Sequence, residues 1–388
     1  MIIGIDASRL SGTVQTGTER YSREVIQALI QIAPQHRFRL YARNERVSSE
    51  LMRGDQSQCE AQVRPIRRRR LWTHTGLGIE IMRRPPDALF IPAHVLPITL
   101  ALPGQSGQTR VVVTLHDIGY RHFPAAHPWQ QRVYLDWSAR FAAQRASCIV
   151  ADSEATRQDI HRFYRAPLAR IRVAYPGATT LPKITEEERQ AAQRRFGLDA
   201  GQTFALHVGT LQPRKNLRRL VRAWRRVAAD YPADLPAPLL VLAGASGWGD
   251  EATRLRAEIE TQGLTDSVRL IGYITDKEKA SLLSVARALA FPSLHEGFGF
   301  PVLEAQSAGV PVVCSNTSSL PEVAGDGAIL VNPLDEHAIG DGLLQAMRDP
   351  AIRSRLITAG IRNVARFNWQ DCARVILEAL TCHRPSPT

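Results

Sequence analysis

Short apolar runs alternate with helical patterns along almost all of this 388-residue chain, and that alternation limits the folds open to it. The runs at 2–5, 88–91, 110–115 and 147–151 are continuously apolar, as strands buried on both faces are. Between them, residues 18–33 put Tyr21, Val25, Ala28, Leu29 and Ile32 on one helical face. Residues 128–146 and 153–164 also read as helices, the second opening at Asp152-Ser153 with cap chemistry. The stretch 174–185, AYPGATTLPKIT, has prolines, a glycine and little periodicity, and reads as a linker. A second series follows. Its strands are expected at 203–208, 238–243, 268–271, 288–291 and 311–314. Its helices are expected at 215–230, 251–263, 276–286, 301–308 and 335–347, with two more in 350–380. Such alternation gives α/β domains with parallel sheets covered by helices. Two series in a chain of this length imply two cores. The expected division is 1–180, 181–365 and a terminal helix in 366–388. Doubly wound sheets bind ligands at the carboxyl ends of their strands, so residues just after the predicted strands are the ones to inspect.

Composition excludes several classes. A hydrophobic content of 44% is that of a globular chain, and no run is long enough to cross a membrane as a helix. The start, MIIGIDASRL, reads directly as a strand rather than a basic segment followed by an apolar one, so a cytoplasmic location is expected. Cys59, Cys148, Cys314, Cys372 and Cys382 are scattered without a C-x-x-C pair, and reduced thiols are expected. The net charge of +12 is uneven: residues 1–180 hold 25 Arg, no Lys and 14 acids, a balance of +11, which leaves +1 for the rest. Arg64, Arg67, Arg68, Arg69 and Arg70 precede Leu71-Trp72, with Arg83 and Arg84 beyond. Basic residues beside an aromatic suit an anionic membrane surface, and peripheral binding to the inner face of the cytoplasmic membrane is one expectation. The other is a solvated basic face. No aromatic-rich recognition motif accompanies the cluster, so nucleic acid is not an expected partner.

The chemistry concentrates in residues 292–325, PSLHEGFGFPVLEAQSAGVPVVCSNTSSLPEVAG. Glu296 and Glu304 flank the turn Gly297-Phe298-Gly299-Phe300-Pro301. Pro301 suits the first position of a helix, whose exposed N–H groups attract phosphate, and the glycines let a ligand approach the backbone. A carboxylate accepts hydrogen bonds from sugar hydroxyls. These parts together point to a nucleotide-sugar pocket. Developing negative charge on a leaving diphosphate must be stabilised. The sequence has no Asp-x-Asp to hold a divalent metal, which leaves cations and backbone N–H groups. Arg214 and Lys215, after a predicted strand, are the candidates; the chain has only four lysines, which makes the placement of Lys215 informative.

The 292–325 block resembles the E-x7-E signature of retaining glycosyltransferases of family 4, which have the GT-B fold. Three further segments match in the family's order: VGTLQPRKNL at 208–217, VTLHDIG at 113–119 and VQTGTERYSREV at 14–25. The resemblance implies two Rossmann-like domains with an inter-domain cleft, an acceptor-side domain first and a donor-binding domain second. It also implies that the last helix crosses back to the first domain. It implies that Glu304 binds the donor ribose, that Glu296 faces the transferred sugar with His116 also at the donor sugar, and that Asp117 is an acceptor-side or orienting group. Gly17, Gly209, Arg214, Lys215, Ile274, Gly297, Phe298 and Gly299 would complete the donor site, Ile274 in the base-binding loop. Many members carry Arg soon after the first Gly of the 208–217 turn, where this chain has Thr210; Arg214 is the substitute here. The implied reaction is hexosyl transfer with retention, without metal or cofactor, by front-face attack; Glu296 as a covalent nucleophile is the rival route. SSLPEVAG resembles bacterial mannosyltransferases, so GDP-mannose is the first donor expected, ahead of UDP-glucose, UDP-N-acetylglucosamine or a rhamnose donor. The acceptor expected is a surface glycan or lipid-linked saccharide. A soluble-sugar synthase and a degenerate sugar-nucleotide-binding protein are the alternatives.

Overall fold

The computed structural model of the protein describes residues 1–11, 17–43, 61–66, 72–102, 109–124, 128–232, 234–247 and 250–382. The chain forms two compact units. One comprises Met1–Arg121, Trp129–Gly177 and the chain from Phe367 onward; the other comprises His122–Pro128 and Ala178–Arg366.

The first unit is built on seven strands: β1 (Ile2–Asp6), β2 (Arg37–Ala42), β3 (Ala61–Pro65), β4 (Ala88–Ile91), β5 (Arg110–Leu115), β6 (Cys148–Ala151) and β7 (Ile171–Val173). Their order is β3-β2-β1-β4-β5-β6-β7, and every pairing is parallel. Helix α1 (Gly17–Ile32) buries Tyr21, Val25, Ile26 and Leu29, the periodicity read in the sequence. The C-terminal helix Trp369–Thr381 packs in the same core through Cys372, Ala373, Ile376, Ala379 and Leu380. On the other face, α2 (Trp129–Arg145) contributes Ala139, Ala142 and Ala143, and α3 (Glu154–Tyr164) contributes Ile160, against Leu89, Val113 and Ile149 of the strands. The cap read at the start of α3 is present: the Ser153 hydroxyl accepts the Thr156 N–H.

The second unit has a six-stranded parallel sheet of β8 (Phe204–Val208), β9 (Leu239–Ala243), β10 (Val268–Gly272), β11 (Ala288–Phe291), β12 (Val312–Ser315) and β13 (Ala328–Val331). The order is β10-β9-β8-β11-β12-β13. Its helices are α4 (Glu186–Arg195), α5 (Leu217–Asp230), α6 (Glu251–Thr261), α7 (Asp276–Leu283), α8 (Phe300–Ser307), α9 (Glu336–Arg348) and α10 (Pro350–Val364). α5 is strongly amphipathic: Leu217, Leu220, Val221, Trp224 and Val227 are buried, while arginines occupy much of the opposite side. These apolar residues meet Leu240, Leu242, Ala290, Val313 and Leu343 in one core.

The sequence reading overlooked β2, β3, β7, β13 and α4. β2, RFRLYA, mixes arginine into the strand, and α4 buries only Ala192, so neither has the apolar run or stripe that marks the others. In both sheets the strand order reverses beside the first strand of the unit, between β1 and β4 and between β8 and β11. Loops leaving the two strands at such a point diverge and open a crevice at their carboxyl ends.

Trp224 is completely buried and is the largest side chain in the second unit's core. Trp224→Ala should destabilise that unit by about 4 kcal/mol, read as a lower urea midpoint for its unfolding.

Candidate functional site

In the second unit the loops after β8 and β11 meet at the switch point. The first carries Pro213–Lys215 as a single tight turn, which Asn216 closes in the left-handed conformation at φ 61°. The Asn216 amide donates to the carbonyls of Pro292 (3.0 Å) and Pro333 (2.6 Å), tying this turn to the loop after β11. The Leu294 N–H donates to the Arg214 carbonyl at 2.8 Å, a second tie between the same loops.

Glu296 is thereby set between two cations. Its Oε1 accepts from Lys215 Nζ at 2.5 Å and its Oε2 from Arg214 Nη1 at 2.7 Å. Arg214 also donates to the His295 carbonyl (3.0 Å) and, through Nε, to Gln212 (3.1 Å). Lys215 and Glu296 are both buried, and the Lys215 ammonium lies 4.7 Å from the centre of the Phe291 ring. Burial alone would raise the Glu296 pKa; Arg214 and Lys215 outweigh it and hold the carboxyl well below the usual carboxylate range. Both carboxylate oxygens are engaged by cations, which holds the group as an anion.

The 296–299 turn is held from the other side by two serines. Ser318 accepts the Glu296 N–H at 3.0 Å, and the Ser319 hydroxyl lies 2.9 Å from the Glu296 carbonyl and 2.7 Å from that of Phe298. Gly299 has φ 121°, and a Cβ there would fall 2.9 Å from Leu320 Cδ2, so both conformation and space call for glycine. Phe298 is buried, so its backbone rather than its ring is what it can offer a ligand. Pro301 falls in the first turn of α8, as read from the sequence. Gly209 follows β8 beneath Lys215; across the same turn, a Cβ on Gly244 would come within 1.9 Å of the Gly209 carbonyl.

Glu304 lies on α8 and is almost fully buried. Its Oε1 accepts from Lys279 Nζ at 2.8 Å; Lys279 also lies 3.1 Å from Asp276. α7, which bears Lys279, opens with a capping box of Thr275 and Glu278 immediately after Ile274, itself buried. The sequence reading overlooked Lys279, although its presence among only four lysines was a usable signal. It also overlooked His207. That ring donates Nδ1–H to the Ala290 carbonyl at 2.9 Å, and its buried Nε2 has no partner among the described residues. Burial, with Lys215 nearby, pushes the His207 pKa down to about 4, so the ring is neutral.

In the first unit His116 follows β5. Its Nδ1 lies 2.6 Å from Asp152 Oδ2 and its Nε2 2.9 Å from the Pro92 carbonyl. A carbonyl can only accept, so Nε2 donates to Pro92, and the proton between Nδ1 and the buried Asp152 is shared by that pair. The direction of its pKa agrees: burial works against the charge, but Asp152 and the Pro92 carbonyl raise the value overall. Both ring nitrogens of His116 are therefore engaged within the first unit in this conformation. Asp117 Oδ1 accepts the Gly119 N–H at 3.0 Å. Gly17 is the first residue of α1 and is exposed; most of the loop before it lies outside the described residues. Arg67, Arg68, Arg69 and Arg70 also lie outside them, as does the side chain of Arg64 in β3.

Comparison with known proteins decides what this geometry belongs to. A model described as Glycosyltransferase Family 4 matches residues 16–180, and one described as Glycosyl transferases group 1 matches 188–363. The O-antigen chain mannosyltransferase B of Escherichia coli is 34% identical over 272 residues, 70% of this chain and 70% of that protein. The chain belongs to glycosyltransferase family 4. Among other relatives, a D-inositol 3-phosphate glycosyltransferase of Corynebacterium urealyticum is 30% identical over 249 residues, 63% of this chain and 58% of that protein. The solved structure of Anabaena HepE in complex with UDP-glucose shares the GT-B fold, with a TM-score of 0.73 at 18% identity over 98% of this chain and 99% of that one. The protein is thus a glycosyltransferase.

Two tests follow for this glycosyltransferase. A buried carboxylate with a depressed pKa contributes stability above its ordinary value of 4.5 and loses it as pH falls toward the folded value. Wild type should therefore lose melting temperature between neutrality and about pH 3 more steeply than Glu296→Gln. The variant should be less stable at neutrality by about 3 kcal/mol, because Lys215 is left buried without its anion. Thermal melts across that pH range check both slopes. Lys279→Met should likewise cost about 3 kcal/mol, measured by urea unfolding, with Lys279→Arg recovering part of it.

Proposed function

We propose that the protein is a retaining hexosyltransferase that moves mannose from GDP-mannose onto a surface-glycan or lipid-linked saccharide acceptor. The observation that carries this reading is the Arg214–Glu296–Lys215 cluster at the β8/β11 switch point. A diphosphate arriving there finds two cations already oriented, and their charge opposes the negative charge that builds on the leaving group. In this role Glu296 keeps both cations in place before the donor binds and then faces the sugar. Gly209, Gly297, Phe298 and Gly299 offer backbone N–H groups, and Gly17 a glycine for close approach. Glu304, held by Lys279, binds the ribose hydroxyls, and Ile274 lines the base pocket. His116 stands at the donor sugar, and Asp117 is an acceptor-side or orienting group.

Retention by front-face attack fits these residues better than double displacement, because both Glu296 oxygens are engaged by cations. The departing phosphate then takes the acceptor proton. Mannose and GDP rest on likeness to the Escherichia coli O-antigen mannosyltransferase and on the SSLPEVAG segment. A cytoplasmic protein resting on the inner face of the membrane, helped by Arg64, Arg67, Arg68, Arg69 and Arg70, suits such an acceptor. The inositol-phosphate glycosyltransferase relative favours a second reading, in which the acceptor is a small soluble polyol.

Thermal melts with GDP, UDP, dTDP and ADP and their sugars, each with and without EDTA, test the donor. The expected outcome is a GDP-selective rise that EDTA leaves unchanged. Selectivity for UDP or dTDP would replace the donor, and no response to any of them would remove the donor-site reading. Glu304→Ala should weaken donor binding by roughly 1–3 kcal/mol through lost hydroxyl contacts, measured by calorimetry.

A further inference from the structure

The second unit gathers positive charge at another place, the end of its sheet opposite the switch-point crevice. Arg287 stands just before β11, and its N–H donates to the Phe204 carbonyl at 2.8 Å. Glu296 stands beyond the other end of the same strand, whose four residues span roughly 13 Å. Beside Arg287 an open cavity of about 360 Å³ is lined by Arg287, Pro350, Arg353, Ser354, Ile357 and Thr358. The last five lie on α10 at spacings of three and four, so they share one face of that helix. The volume falls within the roughly 300–1,000 Å³ usual for small-molecule sites.

Both guanidiniums are anchored by backbone and by no acid. Arg287 Nε donates to the Met347 carbonyl at 2.7 Å. Arg353 Nη1 donates to the Ala346 carbonyl at 2.9 Å and to the Arg287 carbonyl. A guanidinium has five N–H groups, so each arginine keeps donors for a further acceptor. Among the described residues neither forms an ion pair with a carboxylate. Asp349, four residues before Arg353, is turned to the helix start, where its Oδ1 accepts the N–H groups of Ala351 (2.8 Å) and Ile352 (3.0 Å). Those backbone groups are thereby satisfied, and the donors facing the cavity are side chains: two guanidiniums and the hydroxyls of Ser354 and Thr358. Arg353 is half-buried, and burial together with the Arg287 charge pushes its pKa down to about 10. Two like charges are thus held together, partly out of water, with no counter-ion from the protein. They repel each other, and an anion that bridges them turns repulsion into attraction.

We infer that this cavity binds the phosphoryl group of a small phosphomonoester, or free phosphate, at a site separate from the crevice that holds Glu296. Planar guanidiniums grip phosphate oxygens in pairs, and the two hydroxyls can donate to the oxygens that remain. None of the six lining residues is aromatic, so nothing there stacks a nucleotide base; Pro350 and Ile357 give a short apolar wall to the rest of an ester. The site is independent of the donor's identity.

The test is calorimetric titration of the full chain with inorganic phosphate and with a hexose 6-phosphate, the ionic strength held constant with chloride. Wild type should bind both. Arg287→Gln should weaken that binding on the order of tenfold. Thr358→Glu changes an exposed position well inside α10 and brings a carboxylate to the two arginines. It should raise the melting temperature and remove the phosphate binding, and it leaves the backbone bond of Arg287 untouched. Arg214→Gln, in the other crevice, should keep the binding that Thr358→Glu removes. Tighter binding of the hexose phosphate identifies an ester as the ligand, and equal binding identifies free phosphate. Absence of binding by wild type, or binding undiminished in Thr358→Glu, overturns the inference. Binding lost in Arg214→Gln but kept in Arg287→Gln places the phosphate in the Glu296 crevice and overturns it as well.

Discussion

The site in the second unit depends on one arrangement, a buried carboxylate gripped by two adjacent cations that a different strand supplies. Glu296 follows β11, whereas Arg214 and Lys215 follow β8, and the strand order reverses at that boundary. Neither side is tolerable without the other. An unpaired carboxylate or ammonium in so buried a place would shift its pKa or draw in water. The ties from the Asn216 side-chain amide and the Leu294 N–H keep the loops in register, and the serine hydroxyls at 318 and 319 hold the turn from beyond. A parallel sheet makes this possible, because it delivers both loops to the same edge whatever the distance between them in sequence.

Lys279 and Glu304 repeat the motif one helix away. The pair clamps α7 to α8 and so joins the loop at Ile274 to the turn at Gly299. Two buried ion pairs within one crevice make an unpromising source of net stability, since each ion gives up its water. Their value is geometric. They fix where charge stands before a ligand arrives, and a site organised in advance has less to rearrange during reaction.

The parts that were legible in the sequence are those with strong local signals. Continuous apolar runs marked β1, β4, β5, β6 and most of the second sheet, because strands buried on both faces leave no polar positions. α1 and α5 were legible from their apolar stripes. β2 and α4 were not, since arginines interrupt the first and the second buries one alanine; only the Thr185–Glu188 capping box announced α4. At the site, Glu296, Arg214 and Lys215 were legible as separate charges after strands, but their mutual pairing was not. Spacing along the chain says nothing about contacts between residues 81 and 82 positions apart. His116 was read as a group offered to a ligand; the two groups that engage its ring nitrogens, Asp152 and the Pro92 carbonyl, come from other strand ends.

The use of lysine shows how selective this chemistry is. The chain has 49 basic residues, nearly all of them arginine, yet two of its four lysines are buried against the two signature glutamates. A guanidinium brings five N–H donors in a fixed fork, and a buried site must supply acceptors for all of them. Arg214, which is more exposed than Lys215, finds acceptors in Glu296, the His295 carbonyl and Gln212. Lys215 and Lys279 are more deeply buried than Arg214. A compact ammonium on a flexible stem can turn among acceptors, as the placing of Lys279 between Glu304 and Asp276 illustrates. An arginine-rich protein therefore keeps lysine where a charge must be both buried and able to turn.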